Sequence, residues 1–301
     1  MIQSITVTNY LGESLTIPLR NSESTGFIIG EVTGLGPPAA DIHTSEVATN
    51  DGSKFNSARA KQRNIVLPLY FTPIPTIEDA RQKSYKYFPL KRYVTLRVLT
   101  ENRECEIDGY VERNDPDIFT DRSGTQVSII CPVPYFRAIN ETVTTFAGAS
   151  PAFEFPFSNE SLDEKLIEFA TIQTKAEYIV RYEGDAENGV QIRILASATV
   201  KNVTIYNVDT RGTMHIYQDK LAALTGSGIV KGDEIIISTV KGTKSVFLLR
   251  DGQLTNILNC IGMTDEWFRL AKGDNSFAYT ADEGADYLMF IVSHTTLYEG
   301  I

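Results

Sequence analysis

The chain has 301 residues, 42% of them hydrophobic and 22% charged, an ordinary soluble mixture in more length than one compact domain usually needs. Its three cysteines (Cys105, Cys131, Cys260) include no C-x-x-C and its three histidines (His43, His215, His294) lie far apart, which argues against a disulfide framework, a zinc knuckle or a local histidine metal motif. The net charge of −10 is uneven: residues 1–150 hold 15 Lys and Arg against 17 Asp and Glu, and residues 151–301 hold 13 against 21. An acidic second half is unsuited to gripping phosphate backbones, because that grip depends on Lys and Arg releasing counterions.

No apolar run reaches the ~18 residues of a membrane span. The first thirty residues lack a basic-then-apolar signal, so the chain is expected to be made and kept inside a cell, at least initially. Residues 34–64 are polar for their length and carry Asn50-Asp51-Gly52, a hairpin tip. A stretch of that kind is usually functional, disordered or satisfied by another chain. Next comes one helix, in "PTIEDARQKSYKYFPLKRY": Thr76 caps it with Asp79 three residues on, and Pro89 stops it. Ile77, Ala80, Tyr85 and Phe88 are expected to form its buried face.

The remainder reads as strands. Val94, Leu96 and Val98 alternate with polar residues, as do Val127, Ile129 and Cys131, then Tyr178, Val180 and Tyr182, then Val190, Ile192 and Ile194, then Val203 and Ile205. The prolines at 132, 134, 151 and 156 mark a boundary near residue 145, giving domains 1–145 and 146–301. Asp251-Gly252 is a tight hairpin signal. "KGDEIIIST" and "KGDNSFAYT" echo each other, and two similar turns in one sandwich explain them better than a repeat array.

Four features of the sequence bear on chemistry. Glu104, Glu106 and Asp108 share one strand face, ~6.5–7 Å between neighbours, a spacing open to paired-carboxylate hydrolysis but equally that of a solvated strand. Trp267, the single tryptophan, is a candidate glycan contact whose plainer reading is partly buried packing. Arg59, Lys61 and Arg63 form a basic cluster with no interleaved aromatic residues, read as a solvated strand face. The glycines of "GSG" at 226–228 read as turns. No catalytic set, cofactor motif or metal motif emerges, so no enzyme activity is expected.

In order along the chain, "GFIIGEVTGLGPP", the "NDGSKF" loop, "RNIVLPLYF", the single helix, "VTLRV", "GYVERND" and "VSIICPVPYF" are followed by "VKGDEIIISTVKGTKSVFLLRDGQLTNIL" and "WFRLAKGDNSFAY". This order resembles the distal tail protein family of long-tailed, siphovirus-type bacteriophages and prophages, over almost the whole chain. The resemblance implies an N-terminal β domain with one α-helix that assembles into a ring, and a C-terminal jelly-roll or galectin-like β-sandwich. It further implies a structural virion protein at the tail tip, without enzymatic activity. Its partners would be copies of itself in a six-fold ring, the tail tube protein, the tail-associated lysin or tip protein, and receptor-binding proteins. DNA would pass through the channel without specific binding, and assembly would take place in the host bacterial cytoplasm.

A ring needs an element that leaves one subunit and completes the next, and segment 34–64 is the candidate arm, with Asp41, His43, Asn50, Asp51, Gly52 and Phe55 as its candidate contacts. A second class of function is a carbohydrate-binding module that attaches to host cell-wall glycans through the C-terminal sandwich and Trp267. A third is a glycosidase using Glu104 and Glu106.

Overall fold

A computed structural model describes all residues except 47–50, 118–122, 147–148, 152–169 and 173–177. The chain forms two compact units, Met1–Ile139 together with Leu297–Ile301, and Asn140–Thr296. Nearly every described element is an antiparallel strand.

The first unit contains β1 (Ile2–Asn9), β2 (Ser14–Pro18), β3 (Phe27–Ile29), β4 (Ala40–Glu46), β5 (Ser53–Ala60) and β6 (Arg63–Phe71). After helix α1 (Ile77–Tyr87) come β7 (Tyr93–Thr100), β8 (Glu104–Asp117), β9 (Gly124–Cys131) and the start of β10 (Phe136–Phe146). Strand β8 is 14 residues long and serves three neighbours: Glu104–Tyr110 pairs with β7, Tyr110–Asp117 with β9, and Cys105 and Glu106 with β10. It joins the orders β2-β1-β7-β8 and β8-β9-β6-β3. Gly109 stands just before that change of partner, where a Cβ would come 2.6 Å from the Ile129 side chain and 2.9 Å from the Cys131 sulfur. A larger residue would push the strands apart there.

Alternation puts Ile5, Val7, Leu96 and Val98 into the same core as Ile65, Leu67, Val127 and Ile129. Helix α1 closes this core. Thr76 Oγ1 accepts from the Asp79 backbone N–H at 3.1 Å, the expected cap. The buried stripe, however, is Ala80, Ser84 and Phe88 at i, i+4, i+8, while Ile77 and Tyr85 are exposed. Small Ala80 and Ser84 allow close approach, and the Ser84 hydroxyl is satisfied by the Arg81 carbonyl at 2.7 Å.

In the second unit, β11 (Ala149–Pro151) pairs with β12 (Ala170–Ile172). The following strands are β13 (Tyr178–Tyr182), β14 (Asn188–Gly189), β15 (Gln191–Ala196), β16 (Lys201–Asn207), β17 (Gly212–Ile216), β18 (Glu234–Ser238), β19 (Ser245–Arg250), β20 (Gln253–Asn256), β21 (Arg269–Leu270), β22 (Gly273–Glu283) and β23 (Leu288–Tyr298). Two layers form the sandwich, β13-β22-β16-β17 and β23-β15-β18-β19-β20. Val180, Tyr182, Ile205 and Phe277 of the first meet Ile192, Ile194, Ile237 and Phe290 of the second in one core. Asp251 (φ 50°) and Gly252 (φ 77°) both have positive φ, as a type I′ turn requires. The two Lys-Gly-Asp turns lead into β18 and β22, one in each layer. Helix α2 (Gln218–Thr225), which hydrophobic periodicity did not reveal, ends at Gly226 in the left-handed region.

Candidate functional site

Among the described residues, strands β4 and β5 pair only with each other, from Ala40↔Ala60 to Glu46↔Ser53. The ladder has one irregularity: His43 faces Ser57 and Thr44 faces Phe55, leaving Asn56 as an extra residue. Because facing residues share a side of the ribbon, this bulge sorts the side chains. Ala40, Ile42, Thr44, Phe55, Ala58 and Ala60 fall on one face; Asp41, His43, Ser45, Lys54, Ser57 and Arg59 fall on the other. Without the bulge Asn56 would take the place of Phe55 on the apolar face.

Among the described residues, the ribbon has no core beneath it. Ile42 is 64% exposed and Phe55 61%, and of the other residues of β4 and β5 only Asp41 and Ala60 are even partly covered. On the polar face the Asp41 carboxylate accepts from Lys61 Nζ at 2.7 Å and Arg59 Nη2 at 3.3 Å. The hydrogen bond from Lys61 holds its carboxyl below the usual range. Such exposed pairs add little to stability. Asp51 and Gly52 lie at the described edge of the tip, Gly52 with φ 88°, and Asn50 lies outside the described residues.

The root of the arm is fixed. Gly34 (φ +86°) passes so close to β6 that a Cβ would lie 2.1 Å from the Asn64 carbonyl oxygen. Arg63, expected on a solvated face with Arg59 and Lys61, is instead 4% exposed. Its guanidinium donates to the carbonyls of Pro134 (2.8 Å), Gly34 (2.6 Å), Gly36 and Glu299, and lies 4.7 Å from the Phe136 ring centroid. Sequence alternation gave no sign of this, since the basic run crosses from the open ribbon into a core strand within three residues.

Glu104, Glu106 and Asp108 of β8 belong to an ion-pair network. Arg137 donates through Nε to Glu106 at 2.8 Å and through both terminal nitrogens to Asp108. Thr95 donates to Asp108 at 2.8 Å, and Arg97 lies 3.8 Å from Glu104 and 3.5 Å from Glu106. Burial pushes the Asp108 carboxyl up, but the Arg137, Tyr93 and Thr95 hydrogen bonds outweigh it and hold the group below its usual range. A general acid needs the opposite shift. Trp267 is half-buried against the sandwich core, with Lys244 Nζ 5.0 Å from its ring centroid. Among the described residues, no three His, Cys, Asp or Glu side chains cluster as a metal site.

Neither the family models nor the curated proteins contain a match to this chain. Solved structures do. The Dit protein of phage SPP1, described as a hub of the adsorption apparatus in phages infecting Gram-positive hosts, superposes with a TM-score of 0.67 over 97% of this chain and 98% of its own, at 12% identity. The fold is that of a Dit hub protein. Chains of the phage P2 baseplate in its activated conformation also align, with calcium (11% identity, 98% of both chains, TM-score 0.47) and with strontium (11%, 97% of both, 0.46).

Proposed function

We propose that this chain is a structural, non-enzymatic component of a phage tail tip, present in the virion after assembly in the host cytoplasm. The observation that carries this reading is the likeness to the SPP1 Dit hub over nearly the full length of both chains. The chain forms a six-fold ring joining the tail tube to the baseplate, docks the tail lysin and receptor-binding proteins, and leaves a channel that DNA crosses without being held. The net charge of −10 accords with passage rather than grip.

The β4–β5 arm supplies the ring contact. An isolated two-stranded ribbon with an exposed apolar face is marginal in water. Laying Ile42 and Phe55 on a neighbouring subunit buries that face and shields the ribbon edge. Only a heterologous contact, one surface meeting a different one, closes into a ring larger than a dimer. The test is light scattering of the purified chain with electron microscopy of any large species. Rings are expected, alone or with the adjoining tail proteins; a monomer under both conditions refutes the reading.

A further inference from the structure

We propose that residues 299–301 form a strap that sets the direction in which the β4–β5 arm leaves its subunit, and so governs whether rings close. The consequence for rings rests on the reading of the arm as the ring contact; the aiming of the arm does not.

The incoming root of the arm has a weak point. Up to Thr33 the chain is tied to β6: the Gly30 N–H donates to the Pro68 carbonyl at 2.8 Å, and Thr33 and Val66 exchange both backbone bonds at 3.1 Å. Beyond it, β4 opens at Ala40, and the Lys61 N–H donates to the Ala39 carbonyl at 2.8 Å across the base of the ribbon. Between these fixed points runs Gly34-Leu35-Gly36-Pro37-Pro38. The two prolines hold φ, so the direction the chain has at Gly36 is carried on into β4. The two glycines lack that restriction and are where the segment can turn. Ile42 stands six residues beyond Gly36, up to ~20 Å of extended chain, so a rotation of ~20° at Gly36 would move it by roughly 7 Å.

The strap closes over this point. The Ile301 N–H donates to the Leu35 carbonyl at 3.2 Å. Gly300 crosses so near the root that a Cβ there would lie 3.2 Å from both the Gly36 carbonyl carbon and the Pro37 nitrogen. Two arginines hold the strap down. Arg63, on the outgoing root, donates to the carbonyls of Gly34, Gly36 and Glu299, so one side chain joins root and strap. Arg103 donates to the Gly300 carbonyl at 3.1 Å and lies 3.9 Å from the Tyr298 ring centroid. Tyr298, Ile301 and Leu35 pack, partly buried, on the first core. The segment that can turn is thereby anchored to the body of its own subunit. A closed ring needs every subunit to present its contact at the same angle. An arm free to swing lowers the effective concentration of that contact.

The test is pulsed electron paramagnetic resonance on the full chain, spin-labelled at Ser57→Cys on the polar face of the arm and at Glu23→Cys on the body of the first unit. Both positions are exposed, whereas the three native cysteines are buried and escape labelling. The parent, diluted below assembly, should give one narrow distance distribution. Gly300→Val crowds Gly36 and Pro37 and should displace or broaden it. Arg103→Gln should act in the same direction, and keeps the test decisive if Gly300→Val folds poorly. Both variants should retain the parent's melting temperature, while the concentration for half-assembly rises by roughly tenfold or more. Parental distances in the folded variants overturn the proposal, and a lowered melting temperature beside them would make the strap a piece of the core alone. Assembly at parental concentrations despite broadened distances overturns it as well. If the parent forms no rings, the reading of the arm as ring contact fails, and the distances by themselves decide whether the strap aims the arm.

Discussion

The Arg63 guanidinium donates to the backbone carbonyl of Glu299, which fastens the end of the chain to the root of the arm. The same side chain serves Gly34, Gly36 and Pro134. Arg103 adds a bond to the Gly300 carbonyl at 3.1 Å, and Ile301 N–H donates to Leu35 at 3.2 Å. One buried cation therefore satisfies carbonyls from three distant segments. Arg63→Met keeps much of the stem but leaves those carbonyls unpaired, at roughly 1–3 kcal/mol for each that water cannot reach. We expect Arg63→Met to lower the urea midpoint of the first unit clearly, and Arg59→Met, which is exposed, to leave it unchanged. Equal effects would contradict this role.

A buried ion pair makes the complementary prediction for the sandwich. The Asp233 side chain is 1% exposed and receives Arg250 through Nε at 2.8 Å and Nη2 at 2.6 Å, as well as the Val230 N–H at 2.8 Å. Removing Arg250 strands a charge in the interior, which typically costs about 3–5 kcal/mol. Arg250→Leu should destabilise the second unit by that order in denaturant titration, and Asp233→Asn combined with Arg250→Leu should recover part of the loss. Failure of the double variant to recover would assign the effect to Arg250 packing and its bonds to Ser227 and Gly228.

Much of this architecture was legible because period-two alternation reports directly on burial: Val94, Leu96 and Val98 enter the core as read, Thr76 caps α1, and Asp251-Gly252 turns β19 into β20. What escaped was set by tertiary contact. Arg63 looks like Arg59 in sequence, but only the first is buried, because β6 enters the core where β5 does not. The helix face was misplaced because Ser84, a polar residue, is buried with its hydroxyl bonded within its own helix.

Acid should weaken the second unit through His294. This residue is 3% exposed in β23, its ring edge-on to Tyr182 at 5.3 Å. Burial pushes its imidazole below the ordinary value of 6.5. The folded state then binds the proton less readily than the unfolded chain, so the stability is present above pH 6.5 and is lost as pH falls towards the depressed folded value. Denaturant midpoints of the second unit should decline from pH 7.5 to pH 5, and His294→Gln should flatten that slope. A slope unchanged by the substitution would assign the acid response to other groups.

The arm yields the sharpest test, because its bulge makes side-chain count and side-chain identity separable. Replacing residues 45–58 by a short Gly-Ser turn removes most of the ribbon without touching either core, so each subunit should keep its melting temperature while rings disappear. Phe55→Ser and Ile42→Ser remove only the apolar face. Burying each such side chain contributes about 1.5–3 kcal/mol per interface, so either change should weaken assembly by roughly tenfold or more. Deleting Asn56 is the control that distinguishes face from length. With the extra residue gone, Phe55 still faces Thr44 and Ser57 still faces His43, since alternation resumes in a regular ladder. Rings should therefore survive the deletion of Asn56 and fail with Phe55→Ser, both read by light scattering at matched concentrations. If Phe55→Ser and Ile42→Ser both assemble as readily as the parent, the apolar face of the ribbon is not the subunit contact.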